Sequence, residues 1–448
     1  MTRPPLPAGP YLIVGLARSG RAAARMLLAH AKVLAADAAH PEPPAGVEAH
    51  LGSDGVELLD RVRCVVKSPG VPNEAPAIAA ARERGLPVLG ELELAWRLLP
   101  NRFLAVTGTN GKTTTTELLG AVYREAGLEV AVAGNVGTPL ASLVGAVGAE
   151  AVIVCEVSSF QAEDSEAFAP ETALLLNVTE DHLDRHGSFE AYRDAKLRVF
   201  ANQTADHVAI APPAFDLPGA GRRVTFGGAD TDLWLRDGVL GWARHELLAV
   251  GDIRLRGAHN LENAMGAAAA ALASGVPADA VAGALRTFAG VPHRLEEVGT
   301  VGGVLYVNDS KATNVASAAR GIEAFEGGVH AILGGSLKTP TAAAGRNGGG
   351  FEGLRGPVAA RCRACYLIGQ AAERLEADLA GTVSLRRCGD LESAVRAASA
   401  AASPGEVVLL SPACASFDQF RDFEERGDRF RALVVARGAP AGSPRTEA

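Results

Sequence analysis

An apolar segment, Phe103–Val106, runs without a break into TGTNGKTTTTELLG, residues 107–120. A glycine-rich loop between a strand of buried type and a helix-forming run leaves few folds open to the chain. It is the strand–loop–helix unit of a phosphate-binding α/β domain. In such a unit the backbone N–H groups of Gly108, Thr109, Asn110, Gly111, Lys112, Thr113 and Thr114 supply positive potential. Lys112 is placed to reach terminal phosphates, and the Thr113 hydroxyl can bind Mg²⁺. Val106 stands where the broad GxxxxGK[ST] pattern has glycine, so the loop is shorter than in common P-loop proteins. A plain glycine turn would explain Gly108 and Gly111, but not Lys112 and Thr113 in register with them.

At 448 residues the chain exceeds one hydrophobic core. Strand and helix signals alternate before the loop, in YLIVG, KVLAAD, RCVVKSPG and PVLG with helices between them. They predict a parallel sheet over residues 1–99, with a helix from Arg21 to His30 and a linker at Pro100 and Asn101. Residues 100–291 read as a central α/β domain, with a small antiparallel insert drawn from RVTFGG, DLWLRDGVLGW and DIRLRG. Residues 292–448 read as a third α/β domain containing a mobile Gly/Ala-rich loop at 341–353 and a disordered tail. The expected class is α/β throughout, Rossmann-like at both ends and P-loop ATPase-like in the middle.

A net charge of −8 without a basic tract argues against nucleic acid and anionic membranes as partners, and no apolar run is long enough to span a bilayer. Six scattered cysteines and no signal peptide fit a reducing cytoplasm; Cys362 and Cys365 form a CxxC without the second ligand pair that structural zinc needs. Only six of 43 basic residues are lysine, so each is a candidate for work arginine cannot do. Lys32 and Lys67 are read as chance survivors of a codon bias, whereas Lys112, Lys196, Lys311 and Lys338 sit in or beside motifs.

Glu156 closes a buried strand in CEVSSFQ, and Asp181 and His182 follow the next strand in NVTEDHLDRH. Parallel sheets place ligand-binding groups at these strand ends, so a divalent ion beside the phosphate loop is expected. His182 and His186 lack the glutamate of HExxH, which excludes a zinc protease. GLARSG, at 15–20, with Asp37 ending the next strand, resembles a dinucleotide fingerprint in which Ala17 replaces the middle glycine. NDSKATN and LSPACASFDQFRDFEERG place further polar clusters after strands of the third domain.

These stretches, with GNVGTPL, RDAKLRVF, GAHNLENA and VPHRLE, occur in an order that resembles the Mur ligases, and specifically their D-glutamate-adding branch. That resemblance spans nearly the whole chain. It implies ATP-dependent ligation of D-glutamate to UDP-N-acetylmuramoyl-L-alanine by a cytoplasmic monomer, through an acyl phosphate and a tetrahedral intermediate. By position it assigns two Mg²⁺ ions to Thr113, Glu156, His182 and a carbamylated Lys196, and the nucleoside end of ATP to Asn260, Asn263, Arg294 and Asp309. Lys311 would stand near the reacting groups with Lys112, Lys196 and His182. Thr313, Lys338, Ser416 and Phe423 would receive D-glutamate, Asn135, Ser158 and His182 would face the muramoyl group, and Ser19, Asp37 and Gly70 would hold UDP. Two departures stand out: Ala38 and Ala39 follow Asp37 where relatives often have Thr and Arg, and GGSLKTP around Lys338 lacks the usual neighbours.

Other readings fit less of the chain. A folylpolyglutamate synthase lacks the hundred residues before the loop, and a diaminopimelate-adding ligase carries a DNPR motif that is absent here. An NAD-dependent dehydrogenase is disfavoured by Ala17, and a nucleotide switch needs no site for a second substrate.

Overall fold

Strands covered by helices on both sides are apolar on both faces, and among the described residues they build three large, mainly parallel sheets beside one small antiparallel sheet. A computed structural model of the chain describes residues 3–255, 257–337 and 350–438, in two compact units, Met1–Phe288 and Ala289–Ala448. Lys338, most of the glycine-rich insert and the tail from 439 lie outside the described residues.

The first sheet contains β1 (Tyr11–Val14), β2 (Val33–Asp37), β3 (Glu48–Leu51), β4 (Cys64–Lys67) and β5 (Val88–Gly90), all parallel, in the order β3-β2-β1-β4-β5. Chain direction reverses its lateral progress between β1 and β4, the place where open α/β sheets form a ligand crevice. The helix expected over Arg21–His30 begins earlier, at Arg18, and ends at Leu27. Its N-cap Ala17 is extended and supplies no side-chain cap, so the first-turn N–H groups are left for a ligand or water.

The second sheet of this unit contains β6 (Phe103–Thr107), β7 (Val130–Gly134), β8 (Val152–Glu156), β9 (Thr172–Leu175), β10 (Val208–Ala211) and β11 (Arg222–Thr225). Its order is β11-β10-β9-β6-β8-β7, again parallel, with β6 central and its loop at a second reversal point. The insert is smaller than the sequence implied. RVTF contributes β11 to the parallel sheet, and DIRL forms no strand; the antiparallel meander is β12 (Leu233–Arg236), β13 (Val239–Trp242) and β14 (His245–Ala249). Helix Lys112–Glu125 packs against helix Ala258–Ala273, where Ala267 through Ala271 are fully buried and small enough for close approach.

One core runs from the first sheet into the second. Phe168, fully buried, meets Trp96 edge-on at 5.7 Å and Phe103 at 6.2 Å. The expected linker is part of this junction: Asn101 is buried and its amide nitrogen donates to the carbonyls of Gly148 at 2.7 Å and Ala151 at 2.9 Å. A side-chain amide with three carbonyls in reach behaves as a clamp, not as a hinge, and polarity alone hid that in the sequence.

The second unit has β15 (Glu296–Val301), β16 (Val304–Asn308), β17 (Val329–Gly334), β18 (Cys362–Ile368), β19 (Ser384–Gly389) and β20 (Val407–Leu410). The order is β15-β16-β20-β17-β18-β19, parallel except for the antiparallel edge strand β15. Among the described residues no helix is long and apolar enough to cross a membrane.

Phe168→Ala should destabilise the first unit by about 3–5 kcal/mol, the usual cost of emptying a buried aromatic site. Denaturant unfolding followed by tryptophan fluorescence checks this, because Trp96 lies against the deleted ring; a loss below about 1 kcal/mol would mean that the junction does not hold the two sheets together.

Candidate functional site

The loop after β6 is built on glycine geometry. Gly108 and Gly111 have φ of 151° and 83°, and a Cβ on Gly111 would fall onto the Asn263 side chain, so this turn is closed to other residues. Loop and neighbouring segment are stitched together: Thr109 N–H donates to Asn177 O at 3.0 Å, Asn110 N–H to Asn177 Oδ1 at 2.9 Å, and Thr179 N–H to Thr109 Oγ1 at 3.0 Å. Thr113 and Thr114 are buried in the first helical turn, where no side chain caps the N–H groups.

Two lysines converge on one acceptor. Lys112 Nζ donates to Gly108 O at 2.9 Å and Thr109 O at 3.0 Å, and Lys196 Nζ donates to Gly108 O at 2.8 Å. Lys196 is buried on helix Phe189–Ala201 with its amine 4.3 Å from the centre of the Tyr192 ring, and Tyr192 Oη donates to Thr109 Oγ1 at 3.1 Å. Burial first, and the neighbouring Lys112 charge second, push the Lys196 amine down to about 7. Tyr192 and Asn177 were missed in the sequence. Tyr192 lies four residues before Lys196, one helical turn, which is the signal that could have found it.

Glu156 is buried at the end of β8, beside Val106 of β6 and Gly134 of β7, and its Oε1 accepts from Asn135 Nδ2 at 3.0 Å. His182 has a left-handed backbone, φ 51°, with an exposed imidazole 3.7 Å from Asp181 and 4.9 Å from the Phe160 ring centre. Among the described residues no three His, Cys, Asp or Glu side chains cluster into a metal cage. The Thr113 hydroxyl and Glu156 carboxylate are nevertheless the hard oxygen donors Mg²⁺ prefers, with phosphate oxygens to complete the shell. An amine at Lys196 joins such a set only after conversion to a carboxylate-like group.

A cavity of about 600 Å³ opens at the reversal point of the first sheet. It brings together Ser19, Asp37, Gly70 and Asn135, four of the predicted substrate residues, and leaves out Ser158, which caps helix Ser159–Glu163. Asp37 accepts from Leu16 N–H at 2.6 Å and from Ala39 N–H at 2.8 Å. Where Ala38 offers nothing polar, Ser53 and Asp54 complete the wall, and Arg18 adds a cation at the helix start. Ser19 Oγ donates to the buried Glu91 at 3.2 Å; Glu91, unforeseen, also accepts from Ala141 N–H at 2.6 Å, and burial raises its carboxyl to about 7.

The nucleoside residues assigned by resemblance are divided between the units. Asn260 and Asn263 begin helix Ala258–Ala273, with Asn263 Nδ2 donating to Asn260 Oδ1 at 3.3 Å. In the second unit Arg294 is half-buried and Asp309 is buried, accepting from Ser411 Oγ at 2.7 Å and Leu295 N–H at 3.3 Å; burial raises its carboxyl to about 7. Lys311 stands 5.9 Å from the Phe423 ring centre, and Thr313 follows in the same turn. Ser416 is buried in the loop after β20. His293 and Leu295 hold left-handed backbones around this cluster, a form of strain that gathers at functional sites.

Behind these residues stands Arg426, also missed in the sequence. It is fully buried, donating to Ser310 Oγ at 2.9 Å, Ser310 O at 2.8 Å and Cys414 O at 3.2 Å, and burial lowers it to about 10. It ties the loop after β16 to the loop after β20, which carry Lys311 and Ser416.

With this geometry in view, the chain matches three family descriptions: Mur ligase MurD-like, N-terminal domain at residues 10–90, Mur ligase middle domain at 106–271, and Mur ligase, glutamate ligase domain at 293–414. The chain belongs to the Mur ligase family. This Mur ligase is 43% identical to the UDP-N-acetylmuramoylalanine–D-glutamate ligase of Acidobacterium capsulatum, over 96% of this chain and 97% of that one. It is 40% identical to the enzyme of the same name from Pelotomaculum thermopropionicum, covering 95% and 97%. In fold it is similar to the UDP-N-acetylmuramate-alanine ligase MurC of Thermotoga maritima, with a TM-score of 0.58 at 18% identity over 96% and 100% of the chains.

Between pH 7 and the ordinary lysine value of 10.5 the folded Lys196 amine binds fewer protons than the unfolded one. Stability therefore rises with pH across that window, and the cost of burying the ammonium is complete below it. Lys196→Met should be more stable than the parent by about 1–4 kcal/mol at pH 6. The advantage should shrink from pH 7 to 10. Chemical denaturation across pH measures this, and a gap that stays constant would show that no buried ammonium is being removed.

Proposed function

We propose that this Mur ligase joins D-glutamate to UDP-N-acetylmuramoyl-L-alanine with ATP, as a cytoplasmic monomer of peptidoglycan precursor synthesis. The observation that carries the reading is Asn135, which lines the cavity beside Ser19 and also donates to Glu156 at 3.0 Å. One end of a nucleotide-sugar-sized cavity thereby meets the strand end next to the phosphate loop, where a carboxylate could be phosphorylated. The names of the relatives support the choice of substrates. The working division is 1–99 for the UDP-linked substrate, 100–291 for ATP and 292–448 for D-glutamate.

A carboxylate is a poor electrophile until one oxygen becomes a leaving group. In the proposed reaction the muramoyl-alanine carboxylate oxygen attacks the γ-phosphorus, the bond to ADP breaks, and an acyl phosphate forms. The D-glutamate amine then adds to the acyl carbon, the tetrahedral intermediate expels phosphate, and the nitrogen loses its proton. Lys112, released from its own loop carbonyls, offsets charge on the transferred group. Two Mg²⁺ ions, held by Thr113, Glu156, His182 and carbamylated Lys196, would supply further charge neutralisation. An amine near 7 is substantially neutral at physiological pH, the form that attacks CO₂; arginine has no such form.

In the cavity, Ser19, Asp37 and Gly70 are proposed to hold UDP, and Asn135, Ser158 and His182 to face the muramoyl group. Asn260, Asn263, Arg294 and Asp309 are proposed for the nucleoside of ATP, and Thr313, Lys338, Ser416 and Phe423 for D-glutamate, with Lys311 near the reacting atoms.

Phosphate release from ATP should require UDP-N-acetylmuramoyl-L-alanine and D-glutamate together. Equal turnover with L-lysine or without an amino acid would refute the acceptor assignment. Lys196→Ala should lower kcat by about 10²-fold or more, the scale of losing one electrostatic group at a reacting phosphate. A short-chain carboxylate should restore part of it, and full activity without additive would remove the carbamate from the mechanism.

A further inference from the structure

Lys67, read from the sequence as a chance survivor, is fully buried at the end of β4. Its ammonium donates to Asp164 Oδ2 at 2.6 Å and Glu163 Oε1 at 3.1 Å. The same Glu163 oxygen accepts from Arg185 Nη2 at 2.7 Å, and that arginine nitrogen also donates to Val71 O at 3.0 Å. The Arg185 guanidinium lies over the Phe160 ring at 5.0 Å, and His186 stacks on Phe160 at 5.4 Å. Two cations and two carboxylates balance, with Arg82 Nη2 at 3.9 Å from Asp164 as an outer, half-exposed member. Balanced buried pairs of this kind add little net stability compared with apolar packing. Their value lies in fixing geometry.

The geometry they fix has two ends. Ser68, Gly70 and Val71 form one wall of the cavity, immediately after Lys67. Arg185 lies three residues past His182, in the short helical turn Leu183–His186 that His182 begins, and His182 leans on the same Phe160 ring. Arg185 is the link between them: its hydrogen bond to Val71 O reaches the cavity wall from the segment that His182 begins, where the His182 imidazole is exposed.

We infer that Arg185, backed by Glu163 and the buried Lys67–Asp164 pair, is a positioning residue that locks the cavity wall at Val71 to the segment carrying His182. Substrate filling the cavity then finds His182 already in place, and a displaced wall displaces His182 with it. The role rests on the proposed function, and it adds a residue that is not part of the cavity lining.

The test compares wild type, Arg185→Met and Arg185→Lys as full-length enzyme, with all three KM values, kcat, and calorimetric binding of UDP-N-acetylmuramoyl-L-alanine. A lysine keeps the charge, but its side chain is shorter and lacks the flat guanidinium that lies over the Phe160 ring while one nitrogen reaches both Glu163 and Val71 O. Both variants should therefore lose about tenfold or more in kcat and about fivefold in KM and binding of the UDP substrate, the scale of a misplaced supporting group. KM for ATP and for D-glutamate should stay within about twofold of wild type, the pattern of local positioning and not of general damage. Arg185→Lys equal to wild type, or all three KM values rising together with a lowered unfolding midpoint, would reduce Arg185 to a structural ion pair. An active wild type with unchanged variants overturns this inference alone, whereas a wild type without D-glutamate-dependent turnover removes the functional reading and this role with it.

Discussion

The carbonyl oxygen of Gly108 accepts hydrogen bonds from two lysines, and the first unit is arranged around that convergence. Two ammonium groups on one oxygen repel each other, which is why Lys112 contributes to lowering the Lys196 amine. The loop must therefore be rigid enough to hold them together, with the Asp181 and Glu156 charges offsetting only part of the repulsion on Lys196. Asn177 and Thr179 supply that rigidity from one side, Tyr192 from another, and β6 sits centrally in its sheet with β8 and β9 as neighbours. The loop thus belongs to the packed interior as much as to the surface.

The same sheet logic sets the cavity. Parallel strands leave crevices at reversal points, and both sheets of the first unit have one. What joins the two crevices is small: the side chain of Asn135, reaching from the cavity wall to Glu156. Gly134 allows it, because β7 runs so close to Glu156 that a Cβ at Gly134 would strike its backbone.

The parallel architecture and the phosphate loop were legible in the sequence because each has a local signature, an apolar strand followed by a glycine turn. Ser19, Asp37, Gly70 and Asn135 were placed by motif order, and their meeting at one cavity is a tertiary fact the order cannot state. The illegible residues share a trait. Lys67, Glu91, Asn101 and Arg426 are polar groups whose partners lie far along the chain: Glu163 and Asp164, Ala141, Gly148, Ser310. A lone charge reads as solvated surface until those partners are known. Edge strands β3, β15 and β19 were missed for a related reason, since half-exposed strands carry neither a continuous apolar run nor a clean alternation.

Arg426 and Lys196 make an instructive pair. Both are buried cations beside candidate chemistry, one in each unit. The Lys196 amine, near 7, can shed its proton within the physiological range, while the Arg426 guanidinium, near 10, keeps its charge throughout it. Of these two cations the first unit therefore holds an adjustable one and the second a permanent one. Alkalinity that switches the phosphate loop from two positive groups to one leaves the Arg426 cation that ties the loops after β16 and β20 as it was.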